Sequence, residues 1–337
     1  MILYYFLTFL MAFLFSAVSV PFLRKLAFYL DIVDIPTSPI KSHTKVMPYL
    51  GGVAVFLGFI VSLALTRLVT EFPTGTLHNL RGIFLGGTLI FLLGLWDDIR
   101  DHDFRLKLAV EAVAAVILII YEVKLGFQLP EVFIIFFSLL WIVGITNSFN
   151  LIDVMDGLSS SVAVVASLAF FFISLPEETF YVNFAALAIM GSSLGFLIYN
   201  FPPAKIFMGD AGSLFIGFVM ASISLGGKYT GTHTLGIFVP LIILSIPIFD
   251  TLVISYFRWE KKRSIFLGSR DHFALRMLSM GFSVREILFR VAAAMMLLSL
   301  TAYFITRVSY AYAILLYGVL VLIGFFLATW LSLVEVE

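Results

Sequence analysis

The stretch Gly195–Ser213, GFLIYNFPPAKIFMGDAGS, holds the best-placed carboxylate in the chain. It leaves an apolar segment, turns at Asn200 and Pro202-Pro203, offers a cation at Lys205, and presents Asp210 between Gly209 and Ala211-Gly212. Paired prolines stop a helix by removing donors and fixing φ, and glycines let the backbone approach a ligand closely. A single carboxylate on a tight loop at the mouth of a hydrophobic region suits a divalent metal carrying a phosphorylated substrate. The plainer alternative is a polar loop with a helix-capping aspartate.

Other groups repeat the theme. Asp97-Asp98 follows Trp96 where an apolar run ends, and two adjacent like charges near a bilayer call for a cation or metal. Asn147, Asn150, Asp153 and Asp156 recur every third residue before Gly157, so on a helix or 3₁₀ turn they would share roughly one face. Such a set can read a base or sugar and support a metal, although Asn and Asp are also common turn formers. Asp250, three residues after Pro247, is an intramembrane carboxylate that needs a partner: a metal, a lysine or backbone donors. Glu111 is open between function and a hydrogen bond to a neighbouring helix. His272 beside Asp271 is open between a phosphate contact and a surface position. The run Lys261-Lys262-Arg263 reads first as an orientation signal on anionic lipid. Several carboxylates, several cations and no nucleophilic Ser or Cys with its base point to metal-assisted phosphoryl chemistry.

What must position these groups is a membrane scaffold. Of 337 residues 61% are hydrophobic and 12% charged, against about a quarter charged in soluble domains. Zero net charge leaves no footprint for nucleic acid, and the absence of cysteine excludes disulfides, zinc-thiolate sites and thiol catalysis. The fold class expected is an all-α polytopic membrane protein. A bilayer of roughly 30 Å asks for about 17–25 apolar residues per helix, and eleven segments answer, at about 2–23, 48–66, 82–96, 106–121, 132–147, 158–174, 180–199, 212–227, 235–257, 284–306 and 310–332. The first lacks a basic n-region and a cleavage site, so it reads as a retained span. With eleven spans, fifteen Lys and Arg fall on the side of the C-terminus and five on the other, with Arg290 inside a span. The N-terminus is therefore expected outside and the C-terminus in the cytoplasm. One domain, 1–337, is expected, with a site built from inward loops at about 24–47, 97–105, 147–157, 200–211 and 258–283.

The motifs together resemble the polyprenyl-phosphate N-acetylhexosamine-1-phosphate transferases (glycosyltransferase family 4), the group that includes WecA, TagO and MraY. DIPTSPIKSHTKVMPYLGG is similar to the family's Lys/His loop before Pro-x-x-Gly-Gly, and LGLWDDIRD to its Asp-Asp motif. NSFNLIDVMDGL is close to its Asn-x-x-Asn-x-x-Asp-Gly-x-Asp-Gly run, and GFLIYNFPPAKIFMGDAGS is nearly verbatim. The resemblance implies attack of undecaprenyl phosphate on the β-phosphorus of a UDP-N-acetylhexosamine, giving a polyprenyl-diphosphate sugar and UMP. It implies Mg²⁺, with Mn²⁺ as a substitute, bound by Asp210, Asp98 and Asp156. Asp97, Asp98 and Asp210 take catalytic roles, Asp97 as a candidate base. Lys41, His43, Lys107, Asn147, Asn150, Asp153, Asn200, Phe207, His272 and Arg276 are implied at the substrates. The setting implied is the inner membrane with a cytoplasmic active site, with a homodimer allowed and no nucleic acid.

Two departures stand out. Asp153-Val154-Met155-Asp156-Gly157 lacks the glycine after the first aspartate, and Asp271-His272-Phe273-Ala274-Leu275-Arg276 keeps only the first histidine and the arginine of the family's histidine-rich loop. The span count and the spacing to Arg276 favour UDP-N-acetylglucosamine over the muramoyl-pentapeptide donor. Rival classes are an intramembrane aspartyl protease, which leaves the Asp-Asp pair and Asn run unused, and a transporter, which would place its polar groups at mid-membrane. The downstream glycan, teichoic acid or O-antigen among others, is left open.

Overall fold

A computed structural model describes residues 1–36, 45–100, 102–127, 129–260, 262 and 271–334. Thirteen α-helices follow one another among them: α1 (Ile2–Tyr29), α2 (Gly51–Val69), α3 (Thr76–Ile99), α4 (Phe104–Ile120), α5 (Glu131–Ile152), α6 (Leu158–Ser174), α7 (Phe180–Asn200), α8 (Gly209–Gly226), α9 (Val239–Ile243), α10 (Ser245–Glu260), α11 (Phe273–Ser279), α12 (Val284–Ile305) and α13 (Tyr310–Ser332). A 3₁₀ turn, Thr234–Phe238, precedes α9. Two short strands, β1 (Val33–Asp34) and β2 (Met47–Pro48), pair antiparallel with Val33 opposite Pro48.

Each of the eleven apolar segments falls on helix, and most of these helices are individually long enough to cross a bilayer. Eight helices among the described residues are long and apolar enough to cross a bilayer, nine if a bent pair counts as one. α4 and α6 have 17 residues each, and α4 carries Arg105, Lys107 and Glu111. The bent pair is the expected ninth segment, broken into Thr234–Ile243 and Ser245–Glu260 at 73°. Pro247 explains the break: it has no N–H for the carbonyl one turn back, and its ring crowds that turn.

α8 is the core. Every residue from Ala211 to Leu225 is buried, with α2, α3, α5, α6 and α7 packed around it. A helix apolar all round belongs in such a position, and its polar groups are met locally, as when Trp141 Nε1 donates to Ser224 Oγ at 2.8 Å. By contrast α13 buries only Ala313 and Leu331, leaving an apolar surface suited to lipid. The innermost helix thus carries Asp210 in its first turn, and the ends of α3, α4 and α5 gather about it.

Candidate active site

The first turn of a helix has N–H groups without partners in the helix. At α8 the partner comes from another helix: Asp98, in the last turn of α3, accepts from Asp210 N at 2.7 Å through Oδ1 and from Ala211 N at 3.1 Å through Oδ2. A carboxylate there also meets the positive end of the helix dipole. The turn depends on Gly209, whose φ of +72° disfavours a side chain and whose added Cβ would lie 2.5 Å from Asp98 Oδ2. α3 comes this close because of Gly94, where a Cβ would sit 2.5 Å from Asp210 O and 2.6 Å from Ala211 N. A second brace runs through α2. Gly51 N and Gly52 N donate to Phe207 O and Met208 O at 3.0 and 2.8 Å, and Phe207 N donates to Pro48 O at 2.9 Å.

Held in this way, Asp210 points its carboxylate at two donors. Lys107 Nζ reaches Oδ2 at 2.9 Å, and Asn150 Nδ2 reaches Oδ1 at 2.9 Å while also meeting Ser213 Oγ at 3.0 Å. The same Lys107 ammonium donates to Asp97 Oδ2, whose other oxygen accepts from His102 N at 3.0 Å. Asp97 is 9% exposed and Asp210 29%, so the pair spans the boundary from interior to opening. Two carboxylates sharing one ammonium make this a seat for positive charge. One turn further along α4, Glu111 Oε2 accepts from Asn147 Nδ2, which also donates to Val143 O at 3.0 Å.

The Asn/Asp run does not share one face. α5 stops at Ile152, Asp153 is its C-cap, and Gly157 turns left-handed at φ +74°. Asn147 and Asn150 therefore address Glu111 and Asp210, whereas Asp156 Oδ2 takes Ala204 N at 2.9 Å in the loop after α7. Burial, then the charges of Asp210 and Asp156, push the Asp153 carboxyl up to about 8. Asn200 is buried and doubly used: Oδ1 accepts from Gly157 N at 2.8 Å, and Nδ2 donates to Ile206 O at 3.0 Å. It staples two site loops. The ring of Phe207 lies 6.1 Å from that of Tyr49.

His272 and Arg276 have other neighbours. His272 Nδ1 lies 2.8 Å from Asp250 Oδ2, and Asp250 Oδ1 accepts from Phe273 N at 2.8 Å. The intramembrane carboxylate thus finds the backbone donor and the imidazole that it needed. Arg276 is 3% exposed. It donates to Asp271 O at 3.1 Å, to Asp271 Oδ1 at 2.9 Å and to Leu331 O at 3.0 Å, with Val334 O as a further acceptor and the Phe257 ring 4.2 Å away. Its donors face protein groups that tie α11 to the end of α13. Lys41, His43 and the basic run at 261 and 263 lie outside the described residues.

Tyr49 was missed by the sequence reading. Its phenol bonds Asp34 and is pushed well up by burial first, then by the charges of Asp34, Asp98 and Asp210. Only its place before Gly51-Gly52 could have signalled it. His102, which meets Asp97 through its backbone and rests against Trp96 with ring centroids 4.0 Å apart, had no signal at all. An apolar cavity of about 890 Å³ also runs between α5, the end of α8 and the broken α9–α10, lined by Phe137, Trp141, Phe238 and Leu252 and reaching Ser148 and Thr251.

A model of "glycosyl transferase family 4" matches residues 80–228. A Bacillus subtilis protein named as a probable undecaprenyl-phosphate N-acetylglucosaminyl 1-phosphate transferase is 33% identical over 286 residues, 82% of this chain and 78% of that one. A phospho-N-acetylmuramoyl-pentapeptide-transferase of Streptococcus mutans is 32% identical over 237 residues, 61% of this chain and 68% of its own. One from Streptococcus pyogenes is 31% identical over 285 residues, 75% and 81% of the two chains.

Proposed function

The chain belongs to glycosyl transferase family 4, the polyprenyl-phosphate N-acetylhexosamine-1-phosphate transferases, and on that premise we propose that it transfers N-acetylglucosamine 1-phosphate from UDP-N-acetylglucosamine to undecaprenyl phosphate. The observation that carries the reading is the seat formed by Asp97, Lys107, Asp210 and Asn150 at the first turn of the core helix. The Bacillus relative covers more of this chain than the two muramoyl transferases do, which favours the N-acetylglucosamine donor.

Mg²⁺ fits the donor chemistry. No three acidic or imidazole side chains among the described residues converge as a closed cage, but Mg²⁺ takes one or two carboxylates and completes its shell with water and substrate phosphates. Asp210 and Asp97 are the oxygen donors at the seat where the Lys107 ammonium now supplies positive charge. Asp98, whose oxygens each accept a backbone N–H, serves by holding Asp210. A bound Mg²⁺ would supply charge stabilisation for a phosphoryl group that gains negative charge in flight.

The reaction asks little covalent work of the protein. A phosphate monoester is largely dianionic at pH 7, so the lipid phosphate needs no base. Its oxygen forms the new bond to the β-phosphorus, the bond to the bridging oxygen breaks, and UMP leaves with the electron pair. Lys107 offers its ammonium to the phosphate oxygens and Asn150 fixes the Asp210 carboxylate, while Asp97 shares the Lys107 ammonium with Asp210 as long as no metal is bound. The lipid chain is assigned to the apolar cavity between α5 and the bent α9–α10, which reaches Ser148 on α5, the helix that also carries Asn150. With all eleven apolar segments taken as spans, the fifteen-to-five basic asymmetry supports an orientation with this site in the cytoplasm.

The test is UMP release by purified protein in detergent with undecaprenyl phosphate and Mg²⁺. Metal-dependent UMP from UDP-N-acetylglucosamine, lost by at least about 100-fold in Asp210→Asn, is the expected outcome. Turnover only with the muramoyl-pentapeptide donor would reassign the sugar. No UMP from either donor, in folded protein, would overturn the activity.

A further inference from the structure

Glu111 is an ionisable group for which the active site so far has no use. It is 1% exposed, in α4 and packed toward α5. Oε2 accepts from Asn147, but Oε1 is buried with no hydrogen-bond partner. A buried oxygen left without a donor is costly, the more so when charged. That oxygen is therefore open to a donor in another state of the site.

The source of that donor lies one helical turn away. Lys107 and Glu111 stand at i and i+4 on α4, where side chains are neighbours, and the Lys107 charge acts on Glu111. In the state seen, Lys107 faces the other way, shared by Asp97 and Asp210. A lysine stem is long and flexible, and its ammonium is a compact point charge able to exchange partners. Should a divalent cation take Asp210, the ammonium faces both the loss of its best acceptor and repulsion from a doubly charged neighbour. Two positive charges held close together in a poorly solvated site repel strongly.

We infer that Glu111 is a positioning residue, the alternate seat of the Lys107 ammonium, which moves to Oε1 when Asp210 binds a divalent metal ion. This rests on the metal reading above and deepens it. Lys107 is then the internal cation of the resting site, and Glu111 keeps it within reach of the phosphates after exchange. Because Glu111 also holds Asn147, the exchange couples the metal seat to a second candidate substrate group.

The experiment uses the full chain in detergent with MgCl₂ alone, neither sugar donor nor lipid present, and reads affinity by titration calorimetry. Wild type, Glu111→Gln, Lys107→Met and the double variant form a cycle, each first checked for an unchanged thermal midpoint. Glu111→Gln is expected to weaken Mg²⁺ binding about tenfold, because the displaced ammonium loses its counter-charge, and by less than about twofold once Lys107 is gone. Equal weakening in both backgrounds would make Glu111 a ligand or a distant field, and no weakening in either would make it structural; both refute the exchange. Wild type that binds no Mg²⁺ at millimolar concentration, while still folded, refutes the metal reading itself, a result distinct from the other two.

Discussion

Replacing Asp98 with alanine separates two jobs that a carboxylate beside a metal seat can do. The structure gives Asp98 to the backbone, with Asp210 N at 2.7 Å and Ala211 N at 3.1 Å on its two oxygens. Each such bond to a charged acceptor contributes about 1.5–3 kcal/mol, and loss of a helix N-cap by itself costs about 0.5–2 kcal/mol. Burial first, then the like charges of Asp210 and Asp97, oppose the ionised Asp98. Their relief on substitution offsets part of the loss, leaving a net destabilisation of about 2–4 kcal/mol. Domains of 150–250 residues shift by about 2–4 °C per kcal/mol, and a longer chain shifts less, so a fall of several degrees is expected. The assay is thermal unfolding in detergent with EDTA present, so that no metal contributes. An Asp98 that served only as a metal ligand would, on removal, leave the metal-free protein as stable as wild type or more so. A midpoint of Asp98→Ala at or above wild type in EDTA would therefore refute the cap. In the transferase assay the variant is expected to lose at least about 100-fold in kcat, because an unheld first turn misplaces the Asp210 carboxylate.

Gly209→Ala attacks the same turn from the other side: with φ at +72° and its Cβ 2.5 Å from Asp98 Oδ2, it is expected to lose both midpoint and activity, and wild-type values in both would contradict the described turn. Asp153 makes a pH prediction. Its folded carboxyl sits at about 8, against about 3.9 unfolded, so between those values the folded state holds the extra proton and stability falls as pH rises. In metal-free buffer Asp153→Asn should remove that slope, so its midpoint advantage over wild type grows from pH 5 to 8 and levels off above. A pH-independent difference would place Asp153 in a solvated position.

The sequence alone determined the membrane class, the helical segments and the residue types of the site. Each is a local property: apolar run length is set by bilayer thickness, and the Asp-Asp, Asn-run and Met-Gly-Asp motifs are legible as strings. The family followed from the same strings. What the chain order could not supply was which polar group answers which. Asp97 and Asp98 are adjacent, yet one faces Lys107 and the other caps α8, because neighbouring residues on a helix point about 100° apart. The expected single face of Asn147 to Asp156 dissolved because α5 ends at Ile152, a boundary that depends on α8 and the loop after α7 drawing Asn150 and Asp156 to different partners. Arg276, read as a substrate cation, meets the carbonyls of Leu331 and Val334, contacts more than 50 residues distant in sequence. The segment 235–257 reads as one span in sequence, and only the structure shows it bent by 73° ahead of Pro247. Partners of buried charges are chosen in three dimensions, where desolvation forbids leaving them alone, and that choice is what turns a family motif into a particular site.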